Sequence, residues 1–353
     1  MSNIDTLRNS PWPSNDLEDV ESCPWCQAED SQTLYDNLID IVFKTAPGTW
    51  KFEQCNKCKS GFLNPRPTKE TLYRAYENYY THNEHSTPNS SRIRKVIKKL
   101  RLALINGYRN KVYNTTFTPS LGVGYFITSL RSQTMNVIKD DLRYLPRIPL
   151  GAKPKILDIG CGNLGYLRMV SQGGWQAFGC DPDQKVVNNL FKGDNIELRV
   201  GGSEAFLDDA GTFDIVTLSH VIEHVHNPIE DLERIFQLLK PGGFFYLDTP
   251  NIASFGHSFW KKYWLGLDAP RHLSLPTKNM LTETLKNLGF TNIEFVNRPR
   301  VYQSFSVKSA RLENGKNYRD PSADHQLRLP KTKPNGDEIS EFLTVICVKP
   351  KWK

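Results

Sequence analysis

The chain has 353 residues, 39% hydrophobic and 11% aromatic, enough for one large domain with its own core plus a smaller one. No apolar run reaches the roughly 20 residues that cross a bilayer, and residues 1–20 carry no apolar signal core, so a cytoplasmic protein is expected. The net charge of +7 is uneven: Lys and Arg stand to Asp and Glu as 8 to 13 in residues 1–90, 14 to 2 in 91–155 and 23 to 23 in 156–353, which points to an anionic partner for the middle segment alone.

Residues 1–20 are polar, with Pro11 and Pro13, and are expected to be a loose lead-in. Cys23-Pro24-Trp25-Cys26 and Cys55-Asn56-Lys57-Cys58 follow, two knuckles whose four thiolates complete a tetrahedron around structural Zn²⁺. A thioredoxin-type redox pair would need one such knuckle in a βαβ setting, which this is not. Between the knuckles, residues 40–44 and 49–53 read as strands of a small ribbon, and Glu70 to Tyr80 as a helix. The Asn64-Pro65-Arg66-Pro67 turn fixes Arg66 in one direction, for substrate recognition or for holding two domains together. Cys161, Cys180 and Cys347 read as small buried hydrophobes.

Residues 91–113 form an amphipathic helix with Ile93, Val96, Ile97, Leu100, Leu104 and Tyr108 on one stripe. The rest of its surface is basic, without an acid. It can pack on a neighbouring domain, recognise a phosphate-bearing acceptor, or make peripheral contact with an acidic membrane. Nucleic acid is unlikely, since no stacking aromatics interleave the charges. Residues 114–130 read as a lid or packing segment, and Met135 to Leu145 as a helix before the central strand.

That strand, from Lys155, ends in Asp158-Ile159-Gly160-Cys161-Gly162-Asn163-Leu164-Gly165, and a helix follows. Glycines here let a ligand approach the backbone. The G-x-G-x-x-G pattern alone is weak evidence, but Asp158 at the strand tip suits a ligand with cationic groups better than a dinucleotide. A second strand ends at Asp181, placed to accept ribose hydroxyls. A third runs over 196–200. A fourth, 213–218, runs into Ser219-His220-Val221-Ile222-Glu223-His224, then a helix stopped by Pro241-Gly242-Gly243. Strands follow near 244–251, 293–296 and 341–348, the last expected antiparallel beside the sixth. Ser306 to Ile339 reads as a long polar loop.

On these motifs the chain resembles the class I S-adenosylmethionine-dependent methyltransferases, whose first motif commonly reads L-D-[IV]-G-C-G-x-G. Residues 23–80 resemble the zinc-binding module that precedes a subset acting in sugar and polysaccharide biosynthesis. The resemblance implies an α/β fold, a seven-stranded Rossmann-like sheet with a small N-terminal zinc ribbon (21–80) and a basic helical connector (81–150) before the S-adenosylmethionine-binding domain (151–353). Cofactor contacts would come from Asp158, Gly160, Cys161, Gly162, Asp181, Ser219 and His220. The expected reaction is methyl transfer to a sugar, nucleotide-sugar or glycan hydroxyl, with another small-molecule or lipid-linked acceptor as the alternative. His224 is the first candidate for general base and His220 the second, with Glu223 beside them. Some relatives present E-x-x-E-H here as magnesium ligands, so a metal or a purely structural role stays open. In the loop 255–275, Trp264, Arg271 and His272 are expected to meet an anionic acceptor. An NAD(P)-dependent epimerase would need a Tyr-x-x-x-Lys pair that is not seen. A nucleic-acid-binding zinc protein is the remaining alternative.

Overall fold

A computed structural model describes residues 9–76, 92–190, 193–320, 327, 329 and 340–351. The expected helix end at 77–80, the first eight residues of the lead-in and most of the loop 321–339 lie outside these. The strands are β1 (Leu17–Glu18), β2 (Ser31–Leu38), β3 (Trp50–Cys55), β4 (Gly61–Leu63), β5 (Arg66–Pro67), β6 (Lys155–Ile159), β7 (Gln176–Asp181), β8 (Ile196–Val200), β9 (Phe213–Ser219), β10 (Leu239–Pro250), β11 (Ser274–Leu275), β12 (Thr291–Phe295) and β13 (Phe342–Val348). The α-helices are α1 (Arg92–Tyr113), α2 (Gly124–Ser129), α3 (Ser132–Asp141), α4 (Gly165–Gln172), α5 (Gln184–Asn188), α6 (Pro228–Leu238), α7 (Phe255–Trp260), α8 (Lys278–Asn287) and α9 (Pro299–Glu313).

Seven strands form one sheet in the order β12-β13-β10-β9-β6-β7-β8. β6 pairs in parallel with β7 and β9, and β13 runs antiparallel between β10 and β12, as expected of the closing strand. Side chains alternate across the sheet. Leu157, Ile159, Val216, Leu218, Phe245 and Leu247 bury one face under α6 and α8. Ile156, Ile215, Phe244 and Tyr246 bury the other under α4, with Tyr108, Tyr113, Ile138 and Leu142 from α1 and α3 or just beyond. Local signals agree with these helices. Pro228 opens α6 with Glu230 and Asp231 in its first turn, and the Thr277 side chain caps α8.

Several expectations need correction. The lead-in is packed from Trp12, which is buried edge-on against Trp50 at 5.3 Å, and β1 pairs with β5. The first ribbon strand is β2, not residues 40–44. Asp40 is buried there and accepts backbone N–H bonds from Phe43, Thr45 and Ala46, so the chain coils around the carboxylate. Among the described residues, 70–80 holds only a short 3₁₀ turn, Leu72–Tyr76. The first part of the loop predicted over 306–339 is helical, because α9 starts on Pro299 and runs to Glu313.

The N-terminal module is not free-standing. β11 completes its sheet in the order β11-β4-β3-β2, and Trp25 donates its indole N–H to Ser274. Arg271 is fully buried: NH1 donates to Asp40 Oδ2 at 3.0 Å and to the Ala75 carbonyl at 2.9 Å, and the remaining donors meet Asp40 and Asp268. Burial disfavours the Asp40 charge, but Arg271 and the backbone donors outweigh it and hold the carboxyl below its ordinary range. Arg66 plays a smaller version of this part, bonding Glu18 and the carbonyl of His226, whose Nε2 lies 2.9 Å from the Pro67 carbonyl.

Removing one member of a buried, hydrogen-bonded ion pair strands the other without water. Arg271→Met is therefore expected to lower unfolding stability by about 3–5 kcal/mol, read from the urea midpoint. Arg271→Lys should recover only part, since an ammonium cannot reproduce the fork that spans Asp40 and Asp268.

Candidate functional site

The parity that makes Ile156 and Ile215 core residues puts Asp158, Thr217, Ser219 and Asp248 on the same sheet face at the strand ends. The backbone turns sharply after β6. Gly160 has φ +67°, and a Cβ there would stand 2.4 Å from Val221, while a Cβ on Gly162 would meet nothing within 4 Å. The amide of Gly162 donates to Asp181 Oδ2 at 2.9 Å, which ties the glycine loop to the tip of β7. Burial pushes the Asp181 carboxyl above its ordinary value. Cys161 is buried beside them.

Asp158 is almost fully buried. Its Oδ1 accepts from Thr217 Oγ1 at 2.9 Å and from Arg143, while Oδ2 has no partner. Arg143 lies 3.8 Å over the ring of Tyr166, whose buried hydroxyl is likewise unpaired. A cleft of about 310 Å³ opens here, lined among others by Arg143, Tyr166, Ser219, His220, Asp248 and Arg298. Buried polar atoms without partners in such a cleft are what a polar ligand would satisfy. Arg143 and Arg298 are site residues that the sequence reading missed. Each stands outside the recognised motifs, Arg143 just past α3 and Arg298 at the cap of α9.

His220 sits at the lip of this cleft with its side chain 47% exposed. Its backbone is left-handed, φ +56°, a conformation that non-glycine residues adopt where surroundings enforce it. The enforcing contacts are visible: its amide donates to the Asp248 carbonyl at 2.8 Å, and its ring lies between two carboxylates, Nδ1 3.4 Å from Glu223 and Nε2 3.4 Å from Asp248. Burial works against the imidazolium, yet Glu223 and Asp248 outweigh it and raise the pKa above the ordinary histidine value. Asp248 is itself held by Thr344 and by Arg298 NH1 at 2.7 Å. Glu223 accepts from Thr249 at 2.9 Å; burial opposes its charge, but His220 and His224 bring the carboxyl down to about 2.

His224 points away from the cleft. Its Nδ1 lies 2.8 Å from the Arg271 carbonyl and 2.9 Å from the Tyr76 hydroxyl, and its ring stacks edge-on with His272. Burial, then the neighbouring His272, lowers its pKa to about 4, so it is neutral at physiological pH. Arg271, His272 and Trp264 do not form the expected acceptor surface. Arg271 is saturated by protein partners, Trp264 is buried with its indole N–H on Glu341 at 2.6 Å, and His272 donates through Nδ1 to the Gly266 carbonyl, 2.7 Å away. The aromatic and charged residues of this loop are its packing, and they seat the N-terminal module. Glu223, His224 and His272 do bring one carboxylate oxygen and two ring nitrogens within 4.8 Å of one another, a donor set able to hold a metal ion.

The four cysteines converge. All ligand atoms of Cys23, Cys26, Cys55 and Cys58 lie within 4.8 Å, with Cys23 Sγ to Cys58 Sγ at 3.6 Å and Cys26 Sγ to Cys55 Sγ at 3.5 Å. A tetrahedron with metal–sulfur bonds of about 2.3 Å has edges of about 3.8 Å, so the donor set fits such an ion. Cys161, Cys180 and Cys347 are buried elsewhere.

Asp248→Asn removes one of the two charges that favour the imidazolium of His220. The His220 pKa should fall toward or below the ordinary value, measured by its ring-proton NMR titration, while that of His224 stays low.

Comparison with known proteins fits this architecture. Residues 130–294 match a family profile described as a methyltransferase domain. Over 124 residues the chain is 32% identical to the ubiquinone biosynthesis O-methyltransferase of Chelativorans sp. (strain BNC1), covering 32% of this chain and 49% of that one. Over 125 residues it is 33% identical to the mitochondrial ubiquinone biosynthesis O-methyltransferase of Rattus norvegicus, covering 33% and 36%. The matches thus span about half or less of these relatives' length. A Thermotoga maritima structure described as an SAM-dependent methyltransferase, possible histamine N-methyltransferase, aligns with TM-score 0.41 at 12% identity, over 79% of this chain and 99% of that one, a likeness too loose to argue from. The seven-stranded sheet, the glycine turn behind Asp158 and the matched profile together identify a class I S-adenosylmethionine-dependent methyltransferase domain in this chain.

Proposed function

We propose that the chain transfers a methyl group from S-adenosylmethionine to a hydroxyl of a small, polar acceptor, with His220 as the general base. The observation that carries this reading is the exposed His220 ring, held between Glu223 and Asp248 at the lip of the cleft beside Asp158. When bound, S-adenosylmethionine supplies a methyl on a sulfonium, open to in-line displacement. Asp158, with Oδ2 unpaired, is suited to the donor's ammonium, and Arg143 to its carboxylate. Asp181 at the tip of β7 is suited to the ribose hydroxyls. His220 takes the acceptor's proton, and Asp248 and Glu223 stabilise the imidazolium that results. Arg298, paired with both Asp248 and Asp140, fixes Asp248 against the His220 ring.

His224 was the stronger candidate by motif position. Its burial, low pKa and commitment to the Arg271 carbonyl favour a positioning part instead. A sugar or nucleotide-linked sugar suits the polar character of the cleft, which Asp140, Asp141 and Asp248 line together with Arg143 and Arg298. The names of the relatives add acceptors from ubiquinone biosynthesis to the panel worth testing. We further propose that Cys23, Cys26, Cys55 and Cys58 hold a structural Zn²⁺ with no position left for water.

Calorimetry should show heat with S-adenosylmethionine and none with NADH; saturation by NADH alone would overturn the reading. Mass spectrometry of nucleotide sugars, glycans and ubiquinone precursors incubated with donor should reveal a one-methyl gain. With the acceptor so found, His220→Asn should lower kcat about 10²- to 10³-fold with little change in donor affinity. The base must be neutral, so the wild-type rate should rise with pH through the raised pKa of His220 and level off above it.

Elemental analysis of the purified chain should give about one zinc per molecule, and Cys55→Ser should lose it and cost stability. A metal-free chain with unchanged stability would remove the zinc assignment while leaving the methyltransferase reading intact.

A further inference from the structure

The stripe predicted to pack α1 onto its neighbour does so only in the C-terminal half of the helix. Tyr108 and Tyr113 are in the core, but Ile93 is 72% exposed, Val96 67%, Ile97 60% and Leu100 53%. Isolated exposed aliphatics are ordinary; four in register along one helix are not. At 100° per residue Ile93, Val96, Ile97, Leu100 and Leu104 share an arc about 100° wide. Lys95, Lys98, Lys99 and Arg101 fall on the other side and are exposed. No acid occurs anywhere from residue 92 to 139. Just past this half, α2 docks on α1 through Thr128 at the Leu104 carbonyl; Phe126 is 69% exposed and Leu130, after α2, 88%.

We infer that the N-terminal half of α1 is a docking surface for an anionic lipid bilayer. The helix would lie in the plane of the interface with its aliphatic arc among the acyl chains and its lysines at the headgroups. Charge decides between occupants. A second copy would bring the same row of cations against this one, at a repulsive cost. Nucleic acid would satisfy the cations but leave the aliphatic stripe in water. An acidic membrane satisfies both faces at once. No described helix is long and apolar enough to cross a membrane, and a helix lying in the interface plane needs none.

The test is co-sedimentation of the full chain with vesicles of phosphatidylcholine alone or mixed with phosphatidylglycerol. Binding is expected to the mixed vesicles only, and to weaken as salt rises. The triple change Lys95→Ser, Lys98→Ser and Lys99→Ser should weaken it by about fivefold per charge. Val96→Ser with Ile97→Ser should also abolish it, and because these side chains are exposed the circular dichroism and melting temperature should not move. Failure to bind the mixed vesicles overturns the inference. So does a dimer in light scattering that the Val96 and Ile97 changes dissolve, or binding to duplex DNA that those changes leave untouched while vesicles stay unbound.

Discussion

The buried guanidinium of Arg271 ties the two parts of this molecule together. Through Asp40 and Ala75 it grips the N-terminal module, and through Asp268 it fixes its own loop. The same stretch of backbone then clamps the turn after β9: the Arg271 carbonyl meets His224, and the Leu273 amide donates to the Glu223 carbonyl. A chain of contacts therefore runs from the cysteine cluster through β11 and Arg271 to the turn that carries His220. A charge so deeply buried is tolerable only with every donor used, which is why module and domain cannot separate without exposing it. The small module thus acts as a buttress for the cleft.

The cleft itself follows from strand parity. One face of the sheet is apolar until Thr249 near the end of β10; on the other, the alternation that buries Ile156, Ile215, Phe244 and Tyr246 delivers Asp158, Thr217, Ser219 and Asp248 to the strand tips. Several non-glycine residues with left-handed backbone gather around these tips: Arg143, Tyr144, Leu164 and His220. Each is locally unfavourable, and each is held by a tertiary contact, as with Arg143 on Asp158 and Tyr166. Eight more such residues lie elsewhere among the described residues, so these four mark the cleft only together with the polar side chains that converge there.

The sheet and the glycine turn were legible because their signals are local. A β-branched run ending in glycines, or an N1 proline with acids behind it, names its own structure. What failed depended on partners far away in sequence. Residues 40–44 alternate like a strand, but Asp40 is claimed by Arg271, 231 positions later, and the chain bends to serve it. Trp264, Arg271 and His272 have the composition of a sugar-binding loop, and a buried buttress uses the same residue types. Only burial separates the two, and burial is set by the N-terminal module. Choosing between His220 and His224 met the same obstacle: spacing puts both near the site, and the Arg271 carbonyl decides which one turns inward.

The surplus of positive charge in residues 91–155 divides in an instructive way. Arg109 is neutralised by Asp141 and Arg143 by Asp158, so the cations nearest the cleft are already balanced by the protein. Of the cations that remain in this segment, Lys95, Lys98, Lys99 and Arg101 cluster on the far half of α1, beyond the point where its aliphatic stripe leaves the core. An excess aimed at the cofactor would have been placed on the inner half. Its position on the outer half, beside exposed Ile93, Val96, Ile97 and Leu100, makes it a property of the surface and not of the reaction. The helix therefore joins two environments, and the Arg109–Asp141 pair is where one ends and the other begins.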